Sequence, residues 1–107
     1  MKPCEKQQQA EKLLERIEEY SRILGFMESA LMRRDHLPDL VIARQVWWYY
    51  LRKNGLKVTY IGRVYGYTHA TVIHGIGHAA GLIEIGDAYA IECLNATKEI
   101  QKRSKVL

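Results

Sequence analysis

The apolar residues of this chain recur at steps of three and four along most of its length, which is the spacing of one face of an α-helix. Near the N-terminus this spacing predicts a long polar helix over residues 5–24, interrupted by Gly25. Its apolar positions form a narrow, coiled-coil-like seam of Ala10, Leu13, Ile17, Tyr20, Leu24, Met27 and Leu31. We expect the seam to pack on its own domain, and a homodimer or a partner helix is the alternative.

A second helix is predicted from Asp39 to Lys53, because Pro38 suits a helix start, aspartate favours the positive end of the helix dipole, and Asn54-Gly55 ends the pattern. Its buried stripe comprises Val46, Trp47, Tyr50 and Leu51. Trp48 and Tyr49 fall beside this stripe. We expect them to be partly buried against the first helix, with an exposed aromatic patch for a partner as the alternative.

Two further helices are predicted, joined by a tight turn. The first spans Val58–Tyr65 and ends at Gly66, since glycine reaches positive φ at little steric cost. Thr68 can cap the second helix, over about His69–Ile83, by accepting from an amide one turn along. The inward stripe of this helix is Val72, Ile76, Ala79 and Ile83, and its outer face is Ala70, His74, Gly77, His78 and Gly81. Two helices joined by a glycine turn are typical of a helix-turn-helix motif.

The turn is expected to aim the first residues of the second helix outward. They are Thr68, His69, Ala70 and Thr71, which are uncharged and either small or hydrogen-bonding. Such side chains suit the floor of a DNA major groove, so these four are the candidate base-reading residues.

The whole pattern predicts an all-α fold, a compact helical bundle of five to six helices containing the helix-turn-helix. Asp87 is the expected cap of the last helix, whose stripe is Tyr89, Cys93, Ala96 and Ile100. A chain of 107 residues with 48% apolar content fits one domain. We divide it into an N-terminal segment, 1–32, and a helix-turn-helix core with the C-terminal helix, 33–107.

Charge sharpens this interpretation, because the net +4 is unevenly distributed. Residues 1–32 hold five basic and six acidic groups, residues 33–74 hold seven and two, and residues 75–107 hold four of each. The excess positive charge therefore lies in the segment with the helix-turn-helix, as expected for contact with phosphates.

Several other classes of function are not indicated by the sequence. Cys4 and Cys93 are far apart and have no CxxC partner, so neither a zinc site nor a disulfide framework is predicted, and a reducing cytoplasm is expected. A signal peptide and a long apolar run are not seen, and no membrane partner is expected. His74 and His78 have a metal-compatible spacing without a local carboxylate or cysteine, so no metal or other cofactor is predicted. Paired carboxylates, a nucleophile–base motif and a P-loop are not found, which argues against an enzyme.

Three sequence runs resemble the C-terminal DNA-binding domain of the bacterial replication initiator DnaA. They are Ile61-Gly62-x-x-Tyr65-Gly66 followed by residues 68–74 (Thr-His-Ala-Thr-Val-Ile-His), Ala43-Arg44-Gln45-Val46, and the stretch from Glu19-Tyr20 to Arg33-Arg34. The resemblance covers about residues 19–100 in the family's order and nearly its spacing, and implies a bend at Gly25 before a short helix over 27–32. The chain departs from the family by one residue fewer between Gly66 and His69, by Thr68 in place of an aspartate and by Ala70 in place of a threonine. The family's ATPase module is not among these residues.

The resemblance implies further site residues. An arginine of the loop Arg33-Arg34-Asp35-His36 would enter the adjacent minor groove, with Arg34 preferred over Arg33; a solvated connector is the alternative. Backbone phosphates would be contacted by Arg44, Gln45 and Arg52, joined by Lys53 and Arg63. Arg44 and Arg52 are two helical turns apart and are expected near one face, as a groove-spanning pair; ordinary surface arginines are the alternative.

These observations predict a double-stranded DNA-binding protein that prefers an A/T-rich, DnaA-box-like site, acts in replication control or transcription, and is nucleoid-associated in the cytoplasm. Three to five phosphate contacts predict a slope of roughly −3 to −4.5 for log affinity against log salt. A protein-interaction module that keeps the DnaA-like fold without specific DNA binding is the alternative.

Overall fold

The computed structural model describes residues 12–26, 31 and 37–105, with only the backbone for the last two of these. A short 3-10 helix, Leu14–Arg16, precedes five α-helices. These are α1 (Ile17–Ile23), α2 (Pro38–Lys53), α3 (Val58–Tyr65), α4 (His69–Glu84) and α5 (Ala88–Lys105). The described residues contain no strand, and the all-α prediction is confirmed. None of the helices in this part of the chain is long and apolar enough to cross a membrane.

Trp47 of α2 joins three helices in the centre of the core. Its indole stacks on Tyr20 of α1 with ring centroids 4.7 Å apart, and its Nε1 donates to the hydroxyl of Tyr65 of α3 at 3.1 Å. The Tyr20 hydroxyl donates to the carbonyl of Ala43 at 2.8 Å. Each buried polar group of this cluster is hydrogen-bonded, so the cost of removing it from water is offset. These large aromatic side chains can therefore fill the core.

The described part of the N-terminal seam packs into this same core, where Leu13, Ile17, Tyr20 and Leu31 are buried. Ala10 and Met27 lie outside the described residues, as does the short helix expected over 27–32 apart from Leu31. Gly25 ends α1 with φ 86°, in agreement with the predicted interruption. Within the described part of the helix predicted over residues 5–24, Leu14–Arg16 form a 3-10 turn, and the backbone leaves the α-helical region at Arg16 (φ −94°, ψ 7°).

An ion pair ties α1 to the C-terminal helix. Arg103 donates to one carboxylate oxygen of Glu19 at 2.7 Å, and Arg16 donates to the other at 2.8 Å. The hydrogen bond from Arg103, assisted by Arg16, holds the pKa of Glu19 below its usual value. The carboxylate therefore stays charged as the pH falls into the acidic range, and α1 keeps this contact.

The turn between α3 and α4 has the predicted construction. Gly66 takes φ 77°, the amide of Tyr67 donates to the carbonyl of Gly62 at 2.8 Å, and Thr68 accepts from the amide of Thr71 at 3.2 Å. A side chain at Gly62 would overlap the Tyr67 carbonyl oxygen. The turn can therefore fold back on α3 only because residue 62 is glycine.

Trp48 of α2 packs directly against α4. It is buried, and its ring meets Tyr67 edge-on with centroids 5.0 Å apart. A Cβ on Gly75 would come within 2.8 Å of the indole. The expectation that Trp48 is partly buried against the first helix was wrong, because the missing side chain at Gly75 admits the ring beside α4. The buried stripe of α4 is accordingly Val72, Gly75 and Ala79, while Ile76 and Ile83 are half-buried.

The last helix follows its sequence pattern. Asp87 caps it by accepting from the amide of Ala90 at 3.0 Å. Cys93, Ala96 and Ile100 are buried against the core, whereas Tyr89 is half-buried.

Two glycines of α4 should respond oppositely to alanine. Gly75→Ala should lower the free energy of unfolding by about 1–3 kcal/mol, since the new methyl group must displace the buried Trp48 indole. Gly77→Ala, which meets nothing within 4 Å, should raise it by roughly 1 kcal/mol through helix propensity. Urea unfolding of the two variants and the parent measures both changes. Equal effects of the two substitutions would contradict the close approach of Trp48 to α4.

Candidate nucleic-acid interface

The first turn of α4 is presented to solvent. Thr68, His69, Ala70 and Thr71 are all exposed, as expected for residues that read base edges. The Thr68 and Thr71 hydroxyl oxygens lie 2.9 Å apart, and Thr68 also accepts from the Thr71 amide. This cap fixes the two hydroxyls relative to the helix end, so their orientation is set before any ligand arrives.

The predicted outer face of α4 is also exposed: Ala70, His74, Gly77, His78 and Gly81. Ile73 lies beside them and is 50% exposed. Between Asp39 and Glu84 the sequence has five basic residues and not one acidic residue. Residues 40–83, which cover α2 after its second residue, all of α3, and α4 up to its last residue, therefore carry no side-chain carboxylate that would repel a phosphate.

Arg44 does not occupy the position predicted for it. Its residue is 6% exposed, its Nε donates to the carbonyl of Leu31 at 3.0 Å, and its guanidinium carbon lies 5.6 Å from the centre of the Tyr67 ring. The groove-spanning pair with Arg52 was therefore a wrong expectation. Helical spacing placed Arg44 on the correct side of α2. Its guanidinium turns inward because the buried carbonyl of Leu31 and the face of the Tyr67 ring receive it.

Gln45 connects α2 to α4 instead of pointing only at solvent. Its Oε1 lies 2.6 Å from Nδ1 of His78. An amide oxygen can only accept, so Nδ1 of His78 carries the proton in this contact. Gln45 is half-buried, which leaves part of its side chain accessible at the surface.

A surface cleft of about 640 Å³ runs along the junction of α2 and α4, and we call it the α2–α4 cleft. It is lined by Val41, Arg44, Gln45, Trp48, Tyr67, Thr71, His74, Gly75 and His78. The cleft brings together three of the predicted site residues, Arg44, Gln45 and Thr71, but with Arg44 in the wall and not on the rim.

The neighbouring cations Arg52 and Lys53 face different parts of the molecule. Arg52 lies one turn after Trp48 and two turns after Gln45, so it shares the side of α2 that holds α4. Lys53 lies one turn after Tyr49, and its Nζ is 5.0 Å from that ring centre, on the side facing α5. Both are exposed, as is Arg63 on α3. Arg33 and Arg34 lie outside the described residues.

The described residues contain no group of three His, Cys, Asp or Glu side chains that could hold a metal ion. Cys93 is buried in the core, and desolvation raises the pKa of its thiol to about 11, so the thiol stays protonated at neutral pH.

One surface was missed by the sequence analysis. Tyr49 and Lys53 on α2 face Leu94, Lys98 and Lys102 on α5 across an open groove. The sequence contains an i, i+4 pair on α2, Tyr49 and Lys53, and an i, i+4, i+8 row on α5, Leu94, Lys98 and Lys102. Whether these two sets meet depends on how the helices pack.

The chain matches no protein-family model, no curated protein and no solved structure.

Truncating two arginines of α2 should separate the buried role from the surface role. Arg44→Ala should lower the free energy of unfolding by about 1–3 kcal/mol, because it removes the donor to a buried carbonyl. Arg52→Ala, at an exposed position, should change it by less than about 0.5 kcal/mol. Denaturant unfolding monitored by tryptophan fluorescence gives both values. If Arg44→Ala were as mild as Arg52→Ala, the guanidinium would not be a core element.

Proposed function

We propose that this protein binds double-stranded DNA, with the first turn of α4 in the major groove. The observation that carries the proposal is the exposed, capped turn of Thr68, His69, Ala70 and Thr71 in a segment without acidic residues. The resemblance of this turn and of Ala43-Arg44-Gln45-Val46 to the DnaA DNA-binding domain supports an A/T-rich, DnaA-box-like target and a role in replication control or transcription.

Each part of the turn has a distinct role in this proposal. His69 donates to an acceptor on a base edge, Ala70 offers a methyl group to a thymine methyl, and the two threonines supply hydroxyls that can donate or accept. The cap holds the two threonine side chains in one arrangement, so these two lose little side-chain entropy on binding.

Phosphate contacts position the turn without reading sequence. Arg52 is the first candidate, since it is exposed on the side of α2 that carries α4. Arg63 of α3 is the second, because it lies on the helix that leads directly into the turn. Gln45 can add a neutral hydrogen bond to a phosphate, whereas Arg44 acts by holding Tyr67 under the turn.

Base reading and phosphate contact should be separable by mutation. His69→Ala should lower the preference for an A/T-rich, DnaA-box-like duplex over a scrambled duplex by roughly 5- to 150-fold, given about 1–3 kcal/mol for a good base contact. Arg52→Ala should weaken both duplexes alike. Band-shift titrations with the two duplexes measure the effects. Proportional losses on both duplexes for both variants would remove His69 from the reading surface.

The salt dependence should be shallower than the sequence alone suggested, since Arg44 is buried. The two exposed cationic contacts, Arg52 and Arg63, predict a slope of roughly −1.8 for log affinity against log salt. Arg52→Ala should make the slope shallower by about 0.9, and the matched variant Lys53→Ala should leave it nearly unchanged, because it faces α5. Fluorescence anisotropy with a labelled duplex at several salt concentrations tests this. A slope near zero would refute binding led by phosphates.

A further inference from the structure

The open groove between α2 and α5, which we call the α2–α5 groove, has a volume of about 620 Å³. Its lining includes Tyr49 and Lys53 of α2 and Leu94, Lys98 and Lys102 of α5. Its floor is set by contacts within the protein: the Tyr50 hydroxyl donates to Oε1 of Gln101 at 2.5 Å, and the Thr97 hydroxyl donates to the carbonyl of Leu94 at 2.6 Å. The floor is therefore preformed, and the half-buried Leu94 and Tyr49 side chains leave it partly apolar.

The rim of this groove is cationic. Lys53, Lys98 and Lys102 are exposed, and no carboxylate is among the lining residues. The acidic neighbour Glu99 pairs with Arg103 one turn along α5, at 3.6 Å, so it does not neutralise the rim. Within the part of the chain that the structure describes, none of the three lysines forms an ion pair.

We propose that the α2–α5 groove is a docking surface for an acidic peptide segment of a partner protein, one that alternates carboxylate and large apolar side chains. The lysines supply the complement to the carboxylates, and Leu94 with the Tyr49 ring receives the apolar side chains. A phosphate backbone would pair with the lysines but would leave the apolar floor of the groove exposed to water. A peptide of this chemistry satisfies both parts of the groove.

This surface is separate from the one proposed for DNA. Lys53 lines the α2–α5 groove, whereas Arg52 does not line it and follows Gln45 and Trp48, which lie beside α4, at helical spacing. The two neighbouring cations therefore provide a pair of matched variants with opposite expectations.

The test uses the full chain and two fluorescein-labelled probes. One probe is a short peptide in which Glu alternates with Leu and Phe, and the other is an A/T-rich duplex. The peptide with Gln in place of Glu, and the peptide with Ala in place of Leu and Phe, are the probe controls. The double variant Lys98→Gln/Lys102→Gln removes two rim charges at exposed positions, and Arg52→Gln is the matched control. Thermal unfolding confirms that each variant is folded.

The acidic peptide should bind the parent protein, and both control peptides should bind at least about tenfold more weakly. Lys98→Gln/Lys102→Gln should weaken the acidic peptide by about tenfold and the duplex by no more than about twofold, with the reverse order for Arg52→Gln. Peptide binding and duplex binding are measured separately. Absence of duplex binding would therefore contradict the proposed DNA-binding function and leave the docking proposal in place.

Three results would overturn the docking proposal. The first is an equal loss of peptide affinity in the double variant and in Arg52→Gln, which would mean that the overall positive charge of the protein, and not the groove, attracts the peptide. The second is a loss of duplex affinity in the double variant as large as in Arg52→Gln, which would place the groove in the DNA interface. The third is self-association of the parent in sedimentation that the double variant abolishes, which would make a second copy of the chain the occupant.

Discussion

The contact between Trp48 and Gly75 determines where the candidate interface lies. A residue with a Cβ at position 75 would meet the indole at 2.8 Å, so the close seating of α4 on α2 depends on the absence of one side chain. The indole in turn supports Tyr67, which forms the turn before α4. Because interiors are packed at the density of organic crystals, a small displacement here would shift the whole first turn of α4. The exposed residues from Thr68 to Thr71 are positioned by a contact that none of them makes.

The burial of Arg44 changes how this surface is understood. A guanidinium that donates to the carbonyl of Leu31 and lies over Tyr67 joins the N-terminal region, α2 and the turn into a single unit. Removing an arginine from water is costly, and the cost is offset only when hydrogen-bond acceptors and an aromatic face receive it. The positive charge of this segment therefore divides into a buried part that fixes geometry and an exposed part available to a ligand. Counting basic residues along the sequence cannot make that division, since both parts have the same formal charge.

Much of the fold was predictable from local chemistry. Gly66 and Gly25 were predicted as helix ends and have positive φ, and Thr68 and Asp87 were predicted as caps and accept the expected amides. These features depend on residues within one turn of each other, so the sequence contains the full cause. The places of Trp48 and Arg44 were predicted wrongly, because each depends on what a distant segment presents: a missing Cβ at Gly75 for one and a carbonyl at Leu31 for the other. The α2–α5 groove was not predicted for the same reason: it depends on the packing of two helices whose lining residues are some forty or more positions apart in the chain.

The two sides of α2 explain how a short chain can present two separate charged surfaces. A helix rotates by 100° at each residue, so adjacent cations must diverge, and Arg52 and Lys53 continue different stripes. Arg52 continues, at helical spacing, the row of Gln45 and Trp48, which lie beside α4. Lys53 continues the row of Tyr49, which faces α5. A rigid helix between the two surfaces means that a ligand on one need not distort the other. Any coupling between them would then act through charge, which salt screens over about 10 Å, and not through a change of fold.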